Sequence, residues 1–87
     1  MTATLMTPHG AISVRIKDIS LAGAQIWAET PIAGDCDAIL KRGAFFVAAR
    51  VVRNGERTAG LEFYRLLSED EYASAFHRSA AAGAVAA

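Results

Sequence analysis

Chemistry has few places to sit on this chain. The only imidazoles are His9 and His77, the only thiol is Cys36, and one short stretch, Asp18-Ile19-Ser20-Leu21-Ala22-Gly23, gathers a carboxylate, a hydroxyl and a glycine. Nucleophilic catalysis needs a serine or cysteine activated by a base that a third group orients. His9 falls in the turn Pro8-His9-Gly10 and His77 near a helix end, so neither is placed for that work. Cys36 and two distant histidines give no metal-ligand spacing. Gly55 to Gly60 has the glycines of a phosphate loop but lacks the following Lys-Ser/Thr pair, and it lies in a hairpin. The sequence therefore reads as non-enzymatic, with no catalytic residue, no metal and no cofactor.

The Asp18 stretch reads as the end of one strand, a tight polar turn and the start of the next. Asp18 and Ser20 are short enough to bond neighbouring backbone N–H groups and fix a turn. Gly23 offers a position where φ can be positive without a Cβ clash.

The elements around that turn are mostly strands. Ala3 to Thr7 is a short first strand, turned at Pro8-His9-Gly10. Ala11 to Ile19 alternates, with Ile12, Val14 and Ile16 on one face and Ser13, Arg15 and Lys17 on the other, a half-buried strand with a basic outer side. Ala24 to Glu29 continues the period and sets Ile26 opposite Gln25 and Trp27. After the Pro31 to Asp35 connection, Cys36 to Leu40 is a short strand of poor alternation, turned at Lys41-Arg42-Gly43. Ala44 to Arg53 gives the clearest strand, with Phe45, Val47, Ala49 and Val51 on its inner face. Asn54-Gly55 predicts a tight hairpin with positive φ, and Arg57 to Tyr64 returns with Ala59, Leu61 and Phe63 inward. Gly60 within that strand predicts a bulge or a close backbone approach. Ser68-Glu69-Asp70-Glu71 is a capping box, opening a helix over about 68–79 with Tyr72, Ala75, Phe76 and Ser79 at helical spacing. The fold class this predicts is all-β: a small antiparallel β-barrel with a C-terminal α-helix. Residues 1–79 make its single domain and 80–87 a flexible alanine-rich tail.

Eighty-seven residues suffice for one small core. Nine basic and nine acidic side chains cancel, so no overall field draws the chain to nucleic acid or an anionic membrane. A lone cysteine fits a reducing compartment. No basic leader precedes a long apolar run, and the run from Ala44 to Ala49 is too short to cross a bilayer. The expected location is cytoplasmic, without membrane insertion.

Asp18, Ser20 and Gly23, between alternating strands and ahead of a C-terminal helix, resemble the Asp-x-Ser-x-x-Gly signature of PilZ domains. These are small β-barrels best known as receptors for the bacterial messenger cyclic di-GMP. The resemblance runs from about Ala11 to Phe76. It implies that Asp18, Ser20 and Gly23 hold one side of the dinucleotide, the carboxylate accepting from the donors on a guanine's pairing edge. The family's other signature, Arg-x-x-x-Arg ahead of the first barrel strand, is missing. Arg15 lies inside a strand, three residues before Asp18, and does not replace it.

Between Lys41 and Arg57 five basic residues face one acid, Glu56. They read as the solvated side of two strands, or as a source of phosphate contacts from Arg50, Arg53 and Arg57, since the planar guanidinium fork suits phosphate. The expected function is a PilZ-like cyclic-di-GMP regulatory module with a degenerate site, its direct nucleotide binding weak or lost, acting through a protein partner. An outer face around Phe46, Val52 and Tyr64 would suit a partner or a second copy. The alternative is a small barrel that binds single-stranded nucleic acid, which asks for several stacking rings and net positive charge; this chain offers Trp27, Phe46 and Tyr64 and no net charge.

Overall fold

Strict alternation of small or β-branched apolar residues with polar ones leaves each strand one face to bury, and closing the sheet buries all of those faces together. In the computed structural model, which describes residues 1–32 and 34–75, six strands do this. They are β1 (Thr2–Thr7), β2 (Gly10–Ile19), β3 (Gly23–Ala28), β4 (Cys36–Arg42), β5 (Phe45–Arg53) and β6 (Thr58–Phe63), followed by the helix α1 (Glu69–Ala75). The strands form a closed antiparallel barrel in the order β1-β2-β3-β6-β5-β4, which β1 and β4 complete. Closure removes the unpaired edges that so small a sheet would otherwise expose.

The inner positions supply the core. Leu5, Val14, Ile26, Leu40, Val47, Ala49, Val51 and Ala59 are each no more than 2% exposed, and among the described residues no polar side chain is buried with them. Ile32 and Leu67 complete the core from the connecting segments. Ile32 donates its N–H to the Glu56 carbonyl at 3.1 Å, and Leu67 donates to the Leu21 carbonyl at 2.9 Å.

The capping box forms as the sequence predicts. The Glu71 N–H donates to Ser68 Oγ at 3.0 Å, and the Ser68 N–H donates back to Glu71 Oε1 at 2.9 Å. Arg65 grips both oxygens of the same carboxylate at 2.8 Å. The expected continuation of the helix to residue 79, with Phe76, His77 and Ser79, and the tail 80–87 lie outside the described residues.

Four local expectations are corrected. Cys36 to Arg42 alternates cleanly, with Ala38 and Leu40 buried; the pattern looks poor in sequence because Ile39 is apolar yet faces outward. Asn54-Gly55 adopts no positive φ. The link from β5 to β6 spans residues 54–57, long enough to reverse the chain without the tight two-residue geometry. Gly60 carries no bulge, since the ladders on both sides run through it unbroken. A Cβ there would meet only ordinary contacts, the nearest at 3.6 Å from Gln25 Oε1. Gly23, finally, is not among the described glycines of positive φ, which are Gly10 at 123° and Gly43 at 62°.

Candidate functional site

The irregularity in the barrel lies in β2. Ile16 pairs with Ile26 and Asp18 with Gln25, leaving Lys17 without a partner across the ladder. Simple alternation would send Arg15 and Asp18, three residues apart, to opposite faces. One extra residue restores the phase, so both point outward, Arg15 beside Trp27 and Asp18 beside Gln25. The outer side of β2 and β3 therefore presents a carboxylate, an amide, a guanidinium and an indole in succession.

Two depressions follow these strands. A shallow recess of about 180 Å³ is lined by Asp18, Ser20, Gly23 and Gln25 with Ile19 and Ala24. Farther along, Ser13, Arg15, Trp27, Glu29 and Thr30 line a groove of about 480 Å³. The Arg15 guanidinium carbon stands 6.0 Å from the Trp27 ring centre, at the outer limit of a cation–π contact.

Each residue of the Asp18 motif has a different structural warrant. Ser20 builds the turn: its N–H donates to the Gly23 carbonyl at 2.8 Å, its hydroxyl donates to that carbonyl at 3.3 Å, and it accepts from the Ala22 N–H at 3.3 Å. Gly23 is required by a close approach, because a Cβ there would fall 2.3 Å from the Leu61 carbonyl oxygen. Asp18 is the penultimate residue of β2 rather than a turn residue. Its carboxylate accepts one bond, from the adjacent Ile19 N–H at 3.0 Å, and is otherwise presented to solvent.

The arginines expected to reach phosphate stand on β5 and in the β5–β6 connection rather than on β2 or β3. Going from β2 to β5 around this side of the barrel crosses β3 and β6, about 14 Å at ordinary strand spacing. Arg50 pairs laterally with Asp37 and Glu62, so its neighbours are acids. Arg53 ends β5, and its Cβ lies so near Gly34 that a Cβ on that glycine would be 2.8 Å away. Arg57 stands in the β5–β6 connection, where its carbonyl accepts from the Ala28 N–H at 2.8 Å.

Sequence reasoning missed Arg15, Trp27 and Gln25 as members of this face. The available signal was the turn itself: with Ser20 to Ala22 as the reversal, Ile19 faces Ala24, and only a bulge keeps Ile16 and Ile26 both inward. It also missed a reciprocal amide pair, in which Gln25 Nε2 donates to Asn54 Oδ1 at 3.3 Å and Asn54 Nδ2 donates to Gln25 Oε1 at 3.2 Å. That pair spans β6 at Gly60, where no side chain intervenes.

The Ser20 turn also touches the C-terminal segment. Besides the Leu67–Leu21 bond, Ser20 and Leu21 share an apolar recess with Tyr72 and Ala73 of α1.

Comparison of the chain with protein-family models, curated proteins and solved structures returned no match. Among the described residues no cluster of His, Cys, Asp and Glu is arranged to hold a metal ion. No described helix is long and apolar enough to cross a membrane.

Proposed function

We propose that this barrel is a PilZ-like module of cyclic-di-GMP-responsive regulation, with weak nucleotide contact of its own, that works through protein contacts. The observation that carries the reading is the β2 bulge. It sets Asp18 and Arg15 on one outer face beside Gln25 and Trp27, next to the Ser20–Gly23 turn. A carboxylate there accepts from a guanine pairing edge, and a nearby guanidinium suits a phosphate. The recess at Asp18 is smaller than the roughly 300–1,000 Å³ of an enclosing small-molecule pocket, so a dinucleotide would lie on the surface and depend on few contacts. The Leu67 N–H bond to the Leu21 carbonyl, and the recess that the turn shares with α1, couple a ligand at the turn to the C-terminal segment.

The single-stranded nucleic-acid reading draws less support. Trp27 pairs with Thr58 at the start of β6, whereas Tyr64 follows its end, about 20 Å away along a strand. The rings do not form one stacking track.

Calorimetric titration of the folded chain with cyclic di-GMP, beside Asp18→Ala, tests the proposal. Weak heat that disappears in the variant is the expected result. Tight binding would contradict a degenerate site, and heat unchanged by Asp18→Ala would move the ligand elsewhere. Silence from both, with the fold intact, would remove the nucleotide from the function.

A further inference from the structure

Five large apolar side chains among the described residues are exposed by 40% or more: Met6, Ile39, Phe46, Tyr64 and Leu66. They gather on one side of the barrel, away from the Asp18 face. Met6 pairs with Ile39 and Ile39 with Ala48. The Tyr64 N–H then donates to the Ala48 carbonyl at 3.0 Å, so one row crosses β1, β4, β5 and the end of β6. Phe46 stands two residues along β5 on the same outer side, and Arg65 donates both to its carbonyl and to that of Leu66.

Charge brackets this row. On one side of Ile39 and Ala48, Lys41 pairs with Phe46; on the other, Asp37 pairs with Arg50. Reading along β4, the outer positions run acid, apolar, base; along β5 they run aromatic, small, base. A twofold axis laid along the Ile39–Ala48 row turns this pattern onto itself, because the strands of the second copy then run antiparallel to those of the first. Lys41 meets the partner's Asp37, and Phe46 meets the partner's Arg50, a guanidinium over a ring. Each contact occurs twice, as isologous symmetry requires.

We infer that the outer face of β4 and β5 is a self-complementary surface that pairs two copies of this chain. Lys41 and Asp37 of one chain lie four residues apart on a strand, about 13 Å, too far to pair, and the Tyr64 hydroxyl occupies only Oδ1 of Asp37, which leaves its other carboxylate oxygen for a partner's lysine. Zero net charge leaves no overall repulsion between copies. Barrel curvature is expected to confine the flat contact to β4 and β5, with Met6 and Tyr64 at its rim, a small patch beside the roughly 800 Å² per partner of a standard interface. With few anchoring side chains in so small a patch, a weak dimer is expected, in the micromolar range. This inference is independent of nucleotide binding, since none of its residues lines the β2–β3 face.

Sedimentation equilibrium of the full chain across the micromolar range tests it, with folding of every variant checked by circular dichroism. The expected result is a monomer–dimer equilibrium that Phe46→Ser, Lys41→Asp and Asp37→Lys each weaken by tenfold or more. The double reversal Lys41→Asp with Asp37→Lys restores it. A second measurement does not depend on those variants. Packed sheet faces stand about 10 Å apart, so Ala48→Cys in a Cys36→Ser background is expected to be joined to its own copy by a short bismaleimide. A chain that sediments as a monomer throughout, a dimer indifferent to the charge reversals, or a folded dimer that fails to cross-link at Ala48 overturns the inference.

Discussion

Gly23 pairs with Glu62 across the β3–β6 ladder and lies so close to the neighbouring Leu61 that a methyl group on Gly23 would sit 2.3 Å from the Leu61 carbonyl oxygen. The obstacle is backbone, which has little room to move in a closed barrel. Of the three residues in the Asp18 motif, Gly23 is thus demanded by packing and Ser20 by the turn it ties. Asp18 is the one the fold explains least, since its carboxylate holds only the next residue's N–H.

Gly23→Ala is expected to destabilise the barrel by about 1–3 kcal/mol, the usual cost of an inserted methyl with no space to enter. Gly60→Ala makes the contrast, because the nearest atom to its added Cβ is an ordinary 3.6 Å away. Losing glycine's unfolded-state freedom there should leave stability unchanged or raise it by about 0.4–1 kcal/mol. Urea denaturation of both variants reads the difference. Equal losses would remove the packing account of Gly23.

The barrel was legible because inner faces such as Val14-Ile16 and Val47-Ala49-Val51 keep period two, and a set of short alternating strands leaves closure as the way to bury them. Features that break the period leave no such mark in the sequence. Lys17 is bulged without a glycine or proline to mark it, and that one residue decides which side Arg15 takes relative to Asp18. Ile39 masks the alternation of β4 by being apolar and outside. Sequence alone leaves Arg50 and Arg53 as candidates for the Asp18 face because it does not fix the pairing order; β3 and β6 stand between β5 and β2. Non-consecutive pairing is a long-range property, and local pattern carries no information about it.

Arg15, rather than Arg50, is the cation expected to serve a ligand on the β2–β3 face. Trp27 is the only tryptophan and lies beside Arg15, so its emission reports on that surface. Cyclic di-GMP bound there should change Trp27 fluorescence, and Arg15→Ala should weaken binding about tenfold or more, the scale of one charged hydrogen bond. Arg50→Ala should leave the titration as it was. The reverse pattern would place the phosphates on β5.

Acid should loosen the start of α1 through Glu71. The Arg65 guanidinium first, and the Ser68 N–H second, hold its carboxyl at about 2, below its ordinary 4.5. A folded-state value below the unfolded one means a contribution fully present above pH 4.5 and lost as pH falls through about 2. Both partners are partly exposed, so screening by salt should reduce the effect. Carboxyl NMR titration of Glu71 checks the shift, and Arg65→Gln should return most of it. A Glu71 titration near 4.5 in the intact chain would mean that the fork does not persist in solution.

At the alkaline end the corresponding group is Tyr64, whose hydroxyl donates to the Asp37 carboxylate. That bond is the largest cause raising the phenol above its usual 10.0. Desolvation and the charges of Asp37 and Glu62 act in the same direction, while Arg50 opposes them. The folded state therefore holds this proton longer than the unfolded chain does. What the contact contributes is complete below pH 10 and disappears as pH rises through the elevated value. Absorbance of tyrosinate during alkaline titration follows this, with Tyr64→Phe assigning the signal because the chain holds two tyrosines. Asp37→Asn should bring the Tyr64 transition back toward 10, since a neutral amide still accepts the bond but no longer repels the phenolate. If the transition stays high in Asp37→Asn, the elevation comes from elsewhere on the face.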